Sequence, residues 1–533
     1  MPTKESGRCV RMVPGRTSRS TRISRRSTCN TSSCNVPPPV RERELKLAAP
    51  GLFVVPDLTD DGLGVLAMQE LPELQLTSTY YDTADLRLAR SGVTLRYRTG
   101  EEAGPVWTLK LPAAGHDATE RDEHSFPGPA EGVPADAADL VTAFVRSAPI
   151  QPVASLETRR KRWMLCSADD QVLAELADDQ VTVVDGTRVV ARFRELELES
   201  RGPDLAALRP IANRLRRAGA VLAEPVPKAV RALGPRASAP PDVAPVEASP
   251  NEPAVRAVQA ALSAGLGRLI ANDPPTRLGD VEGLHQMRVA TRRLRSDLRT
   301  FRPLLDRTWA AGLSDELRWL GDRLGAVRDP DVQLGNLGSL ATDLRPGIDP
   351  YLERLRDRRA TGREALLEAL TSERYVALLD RLVDAVRDPL VADRAQRPIE
   401  RALPKLVRRA WRRLKRAGEA IGPDDRDDEY HAVRIKAKRL RYAAEAIGPS
   451  LGDRAPGLRR VAMAAADLQD LLGAMHDAVV TRSDLEASLG ETNHRKYAFA
   501  AGRLVERLGA SAREGRRRYP KAWRRVGRRW RKA

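Results

Sequence analysis

The sequence predicts an α+β multidomain chain, in which an antiparallel closed sheet with helices outside it precedes an all-α half built by duplication. Three observations carry this. Between residues 41 and 199 a series of short segments bears charged side chains at period two, the repeat of a strand. Beyond residue 254 long Ala/Leu/Arg runs take over, with Gly and Pro only as punctuation. Within that half His285-Gln-Met-Arg288-Val-Ala-Thr-Arg292-Arg293-Leu294-Arg295 returns as His431-Ala-Val-Arg434-Ile-Lys436-Ala-Lys438-Arg439-Leu440-Arg441. A second echo follows each copy, Leu324-Gly-Ala-Val-Arg-Asp329 against Leu472-Gly-Ala-Met-His-Asp477. The offsets are 146 and 148 residues, too steady for chance.

Composition bounds the function. The 533 residues are 42% hydrophobic, enough for two or more cores, and only 4% aromatic. The net charge of +18 sits mostly at the ends: residues 1–36 carry eight Lys/Arg against Glu5 alone, and residues 513–533 carry eleven against Glu514 alone. A polyanion site in the nearly neutral body must therefore rest on local clustering rather than on pI. Residues 1–38, Arg/Ser/Thr-rich and without an apolar run, are expected to be a disordered basic tail; neither a secretory signal nor a membrane span fits them. Their Arg/Ser bias also suits a transit peptide or an over-extended start. Cys166 is the single cysteine of the body, which excludes an internal disulfide framework there and predicts a reducing, cytoplasmic setting.

The first folded region is expected over residues 39–235, entered by the stiff Pro37-Pro38-Pro39. Arg41 to Leu47 reads as a strand with Glu42, Glu44 and Lys46 on one face. The strands after it run through 79–82, 93–98, 106–110, 121–123, 157–162, 173–181 and 194–199. Helix-like stretches lie near 58–70, 135–147 and 203–218. One alternating strand most often simply turns its charges to solvent. Here the charges segregate instead. Glu42/Glu44, Glu175/Asp179 and Glu195/Glu197/Glu199 form acidic sets, and Arg96/Arg98, Lys110 and Arg121 form basic ones. Carboxylates can hold a hard divalent cation and guanidiniums can hold phosphate oxygens, so a lumen with both suits a metal-bound polyphosphate.

Glu42-x-Glu44-x-Lys46, the Tyr80-Tyr81-Asp82-Thr83 turn, the Leu95-Arg96-Tyr97-Arg98 strand, Thr108-Leu109-Lys110 and a late Glu-x-Glu strand resemble, in order and spacing, the CYTH domain of the triphosphate tunnel metalloenzymes. The resemblance implies an eight-stranded antiparallel β tunnel with flanking helices. It implies hydrolysis of inorganic triphosphate or a related triphosphate with Mg²⁺ or Mn²⁺. By the same resemblance Glu42, Glu44, Asp179, Glu197 and Glu199 are metal ligands. Arg96, Arg98, Lys110, Arg121 and Lys228 contact phosphate, and Lys46 joins Glu42 and Glu44 as a catalytic residue that positions phosphate or water. Family members often have Ser before the late lysine; here it is Pro227. Parity with Glu175 favours Asp179 over Asp178 as the inward residue, and either Arg160 and Arg162 or Arg159 and Lys161 belong to the lumen.

A Pro/Ala-rich linker is expected over 236–253 and an all-helical region over 254–533. At about 100° per residue, His285, Arg288, Arg292, Arg295 and Arg299 fall on one quarter of a helix. His431, Arg434, Lys438 and Arg441 repeat that stripe. A lone basic face is usually just solvated, but a duplicated one brings like charges together unless an anion neutralises them. Both His-x-x-Arg helices and both Leu-Gly-x-x-x-Asp echoes resemble the CHAD domain, a module often joined to CYTH. That resemblance implies two pseudo-symmetric helical bundles that bind long-chain polyphosphate. His285, Arg288, Arg292, Arg295, His431, Arg434, Lys438 and Arg441 are its contacts, with Arg293 and Arg439 as secondary ones. It also implies a cytoplasmic protein that can associate with polyphosphate granules. Catalysis or metal binding by the histidines is not expected, since no carboxylate or second histidine accompanies them locally in sequence. Trp523 and Trp530, seven apart, are expected to pack a last helix on the bundle.

The expected protein is thus a metal-dependent triphosphatase tunnel fused to a polyphosphate-binding module. The competing expectation is a non-catalytic protein that binds or localises polyphosphate. Nucleic-acid binding is disfavoured by the few aromatics.

Overall fold

Charge at period two makes strands, and apolar residues of the opposite parity decide which face of each strand meets a core. In the computed structural model, residues 40–112, 120–169, 171–202, 205–223, 226–422, 425–489 and 494–533 are described. The expected basic tail 1–38 lies outside them. The chain divides into two units, residues 1–241 and 242–533.

The first unit is a sheet of nine strands: β1 (Val40–Ala48), β2 (Ala67–Asp82), β3 (Thr94–Thr99), β4 (Val106–Pro112), β5 (Glu120–Phe126), β6 (Gln151–Cys166), β7 (Val172–Asp185), β8 (Arg188–Ser200) and the short β9 (Val221–Leu222). Helices α1 (Arg87–Arg90), α2 (Ala135–Val145), α3 (Leu205–Arg217) and α4 (Lys228–Leu233) accompany it. Every pairing is antiparallel, in the order β5-β4-β3-β2-β6-β7-β8-β1-β9. β1 divides itself: Val40–Arg43 pair with β5 and Glu44–Ala48 with β8, so one strand joins the two ends of the seven-strand run from β5 to β8. Leu47, Leu176, Leu196 and Leu198, of outward parity, pack with Leu208, Ile211 and Leu215 of α3 in a core outside the sheet. Charged residues of inward parity are left facing one another.

Two of the three expected helices are α2 and α3. The third, at 58–70, is corrected: Asp60 caps a single 3₁₀ turn, Asp61–Leu63, and Gly64 at φ 68° ends it. The chain then enters β2, twelve residues earlier than the expected strand at 79–82, and a register shift between Leu71 and Leu74 accommodates Pro72.

The second unit is all helical: α5 (Ala254–Leu278), α6 (Val281–Phe301), α7 (Arg307–Leu340), α8 (Asp349–Thr371), α9 (Glu373–Arg387), α10 (Ile399–Ala402), α11 (Pro404–Glu419), α12 (Asp427–Leu451), α13 (Gly457–Leu489) and α14 (Arg495–Trp530). The duplicated patterns fall on equivalent helices, His-x-x-Arg on α6 and α12, and the second echo on α7 and α13. Trp411 of α11 stacks on both Trp523 and Trp530, at 5.9 and 5.1 Å between centroids, which gives the expected aromatic stripe of α14 its partner.

Candidate functional site

Strand register builds the lumen of the first unit. Glu44 lies opposite Glu199, and Glu199 opposite Glu175; Lys46, Glu197 and Ala177 form the next row, and Ala48, Glu195 and Asp179 the one after. Across from them Tyr80 faces Arg96, and Thr94 faces Lys110. Glu44, Lys46, Arg96, Arg98, Lys110, Arg121, Glu197, Glu199 and Lys228 line one cavity of about 260 Å³, with Tyr80, Arg160 and Glu175. Glu42 lies opposite Arg121 in register, but its side chain is outside the described residues.

Three cations knit the acidic wall. The Lys228 ammonium lies 2.9, 2.8 and 2.6 Å from Asp179, Glu195 and Glu197. Lys46 bridges Glu44 and Glu197 at 3.1 and 3.0 Å. Arg160 donates two hydrogen bonds to Asp179, at 2.7 and 2.6 Å, and one to Glu197 at 2.8 Å. Burial pushes the Glu197 carboxyl up, but Lys228, Lys46 and Arg160 outweigh it and hold the pKa well below the carboxylate range. Asp179 is held below its ordinary value in the same way, by Lys228 and Arg160 against burial. Parity resolves the open choices: Asp179 and Arg160 face inward, whereas Asp178 pairs outside with Arg194 at 2.6 Å and Arg159 with Glu73 at 2.6 Å. Arg162 shares the inward parity and lies 3.9 Å from Glu175.

The basic wall is held differently. Arg98 donates to Ser78 and Glu101, Arg121 to the Gly92 carbonyl, and Lys110 pairs with Glu123 at 2.9 Å. Burial and then Arg96 lower the Arg98 pKa. Sequence reasoning missed Tyr80 as a lumen residue. Burial pushes its hydroxyl up, but Arg96, Arg98 and Lys228 outweigh burial and hold it below the ordinary value. Only the register that sets Tyr80 opposite Arg96 places it in the lumen.

The donor set bears on a metal. Glu44, Glu199 and Glu175 stand in one row, where like charges on neighbouring strands repel. Arg201 reaches Glu175 and Glu199 at 2.6 and 3.3 Å from a side chain 42% exposed. Carboxylate oxygens alone, without thiolate or imidazole, fit a hard divalent cation. Among the described residues no three such groups already converge on one point. Asp179 and Glu197 engage Lys228, Arg160 and Lys46.

In the second unit α6 and α12 touch: Arg292 donates to the Tyr442 hydroxyl at 3.2 Å, and Arg293 pairs with Glu445. Arg288 pairs with Asp329 at 2.7 Å. The company that the histidines lack in their sequence neighbourhood is supplied in space by the second echo. The His431 and His476 rings lie 4.0 Å apart, with Asp477 beside Arg434. Burial, His431, Arg434 and Lys438 press His476 down to about 4. Burial and then Arg328 lower His285, and burial and then Arg434 lower His431. Lys438 is pushed down to about 7 by burial and by Arg292, Arg434 and Arg288. Arg288, Arg292, Arg434 and Lys438, drawn from both copies, thus form one cationic cluster. Arg295 stands apart, against Gly321 of α7, and Arg441 turns to Glu445 at 2.8 Å.

A sheet with a charged lumen followed by a duplicated helical bundle with clustered cations defines a two-module class of protein. Residues 41–224 match the CYTH domain and residues 260–486 the CHAD domain. The chain is 34% identical over 502 residues to the uncharacterized protein Rv2226 of Mycobacterium tuberculosis H37Rv, a match covering 88% of this chain and 93% of that protein. It belongs to the CYTH–CHAD family. Among solved structures it is similar to PptA from Streptomyces chartreusis (23% identity, TM-score 0.43, 51% of this chain and all of that one) and to the CHAD domain from the plant Ricinus communis (26%, 0.42, 51% and 96%). It is also similar to HpAC1 from Hippeastrum, a putative adenylyl cyclase described as having a dominant triphosphatase activity (16%, 0.20, 34% and 90%).

Proposed function

We propose that the tunnel hydrolyses inorganic triphosphate or a related triphosphate with a divalent cation, and that the helical unit binds polyphosphate. The supporting observation is one cavity whose cationic wall of Arg96, Arg98, Lys110 and Arg121 faces a carboxylate wall of Glu44, Glu175 and Glu199. Arg96, Arg98, Lys110 and Arg121 bind phosphate oxygens. Glu42, Glu44 and Glu199 hold Mg²⁺ or Mn²⁺, with Glu175 completing the oxygen set; Asp179 and Glu197 keep Lys228, Lys46 and Arg160 in place. The bound cation supplies charge neutralisation at the phosphates and a water of lowered pKa. Lys46, anchored by Glu44 and Glu197, points an ammonium into the lumen beside it.

Full-length protein with Mg²⁺ or Mn²⁺ should release phosphate from tripolyphosphate, and Glu42→Ala with Glu44→Ala should abolish release. Absence of turnover in the unaltered protein would favour the second reading, a non-catalytic polyphosphate-binding protein, for which the groove of Arg288, Arg292, Arg434 and Lys438 speaks. Binding of DNA of matched charge as tightly as polyphosphate would support nucleic acid instead.

A further inference from the structure

The helical unit contains a second cavity, of about 710 Å³, lined by none of the eight principal groove candidates and by one secondary candidate, Arg439. Arg299 of α6, Arg409 and Arg413 of α11, and Lys436 and Arg439 of α12 enter its wall, together with Arg394 from the segment between α9 and α10. Its one lining carboxylate, Asp306, accepts a hydrogen bond at 2.8 Å from the Trp309 backbone at the start of α7. Among the described residues none of these six cations pairs with a carboxylate. The Arg439 Nε is buried and lacks a hydrogen-bond partner. Burial and the nearby Arg299 and Arg413 lower its pKa.

The duplication shows that this imbalance is a property of one copy. With the 146-residue offset, Arg439 corresponds to Arg293, Ala443 to Asp297 and Arg299 to Glu445. Arg293 is answered twice, by Asp297 at 3.6 Å one turn along α6 and by Glu445 across on α12. At the equivalent places around Arg439 stand an alanine and a third arginine. One face of the α6–α12 pair is neutralised from within, and its counterpart has cations where the acids would be. Cations crowded on one concave wall repel unless an anion enters. The wall is also partly apolar, with Leu305, Val391 and Leu406. That surface gives nothing to an inorganic phosphate chain but suits a carbon framework.

We propose that this cavity binds a compact organic polyphosphate, a small carbon framework carrying several phosphate groups, at a site separate from the His-x-x-Arg groove. Guanidiniums arriving from α6, α11, α12 and a connecting segment surround such a ligand, each in reach of a different phosphate. Cyclitol and nucleoside polyphosphates share this chemistry.

Calorimetric titration of the full-length protein with myo-inositol hexakisphosphate and with adenosine 5′-tetraphosphate separates those sources. At least one should bind with one molecule per chain, and long linear polyphosphate is titrated in parallel. Arg299→Glu with Ala443→Asp copies onto this face the acids that the opposite face already accommodates. It should weaken the organic probe about tenfold or more, while long-chain binding stays within about twofold. Arg292→Gln with Arg434→Gln should do the reverse. If the first variant melts early, Arg409→Gln with Arg413→Gln carries the same expectation. Failure of both organic probes to bind would overturn the proposal. So would an equal loss of organic and linear ligands in the cavity variants, which would make the cavity one end of the groove.

Discussion

At Lys228 one ammonium answers Asp179, Glu195 and Glu197, so deleting it strands buried carboxylates rather than removing a surface charge. Lys228→Met is expected to destabilise the tunnel unit by about 3 kcal/mol near pH 7, read by urea unfolding. The sign of its pH dependence follows from Asp179 and Glu197, both held below ordinary carboxylate values. Their pairing contributes stability above the unfolded pKa of about 4 and loses it as pH falls through the folded values. The unaltered protein's advantage over Lys228→Met should therefore shrink on acidification below about pH 4. Lys438 behaves oppositely. With its pKa near 7 in the free protein, it must take up a proton to bind a polyanion at higher pH. Polyphosphate affinity should fall as pH rises from about 7 toward the ordinary lysine value of about 10, and Lys438→Arg should flatten that profile. The unfolded chain holds this proton over the same window, so the ligand-free fold becomes more stable there as pH rises. A titration giving constant affinity between those limits would contradict the groove's electrostatics.

Among elements, close approach leaves its own test. A Cβ on Gly362 of α8 would come within 2.6 Å of the Ala326 carbonyl oxygen on α7. Backbone cannot yield as a side chain does, so Gly362→Ala should cost about 1–3 kcal/mol, visible as a lower melting temperature. This contact was not legible in sequence, because nothing in a helical run of Arg, Ala and Leu tells which glycine faces a neighbouring backbone. The strands were far more legible. Glu44-x-Lys46 and Glu195-x-Glu197-x-Glu199 fix parity, and parity fixes which side chains meet once the register is known. The 58–70 segment misled because Leu58, Val65 and Leu66 stand at the i, i+7 and i+8 places of a helix, while Asp60 and Gly64 close the turn after three residues. In the groove, His285 and His431 were legible from their repetition. His476 was quoted only as part of an echo, because proximity between α12 and α13 is a packing fact and not a spacing fact.

For the whole molecule, the two units place their proposed phosphate-binding residues on unrelated frameworks, so the proposed activities should separate. Glu42→Ala with Glu44→Ala should remove phosphate release yet leave long-chain polyphosphate binding unchanged, compared side by side in one preparation. The split pairing of β1 has a further consequence, in time rather than in chemistry. β1 emerges early in synthesis, but Lys46 meets Glu197 only across 151 residues. Until β8 is made, its Glu-x-Lys face has no counterpart, and its free edge must be kept from wrong partners. Non-local closure of this kind is slow, whereas α6 finds α5 and α7 beside it along the chain. After dilution from denaturant, helical signal should recover before the tryptophan environment of Trp107 on β4, and the last event should be β1 settling between β5 and β8.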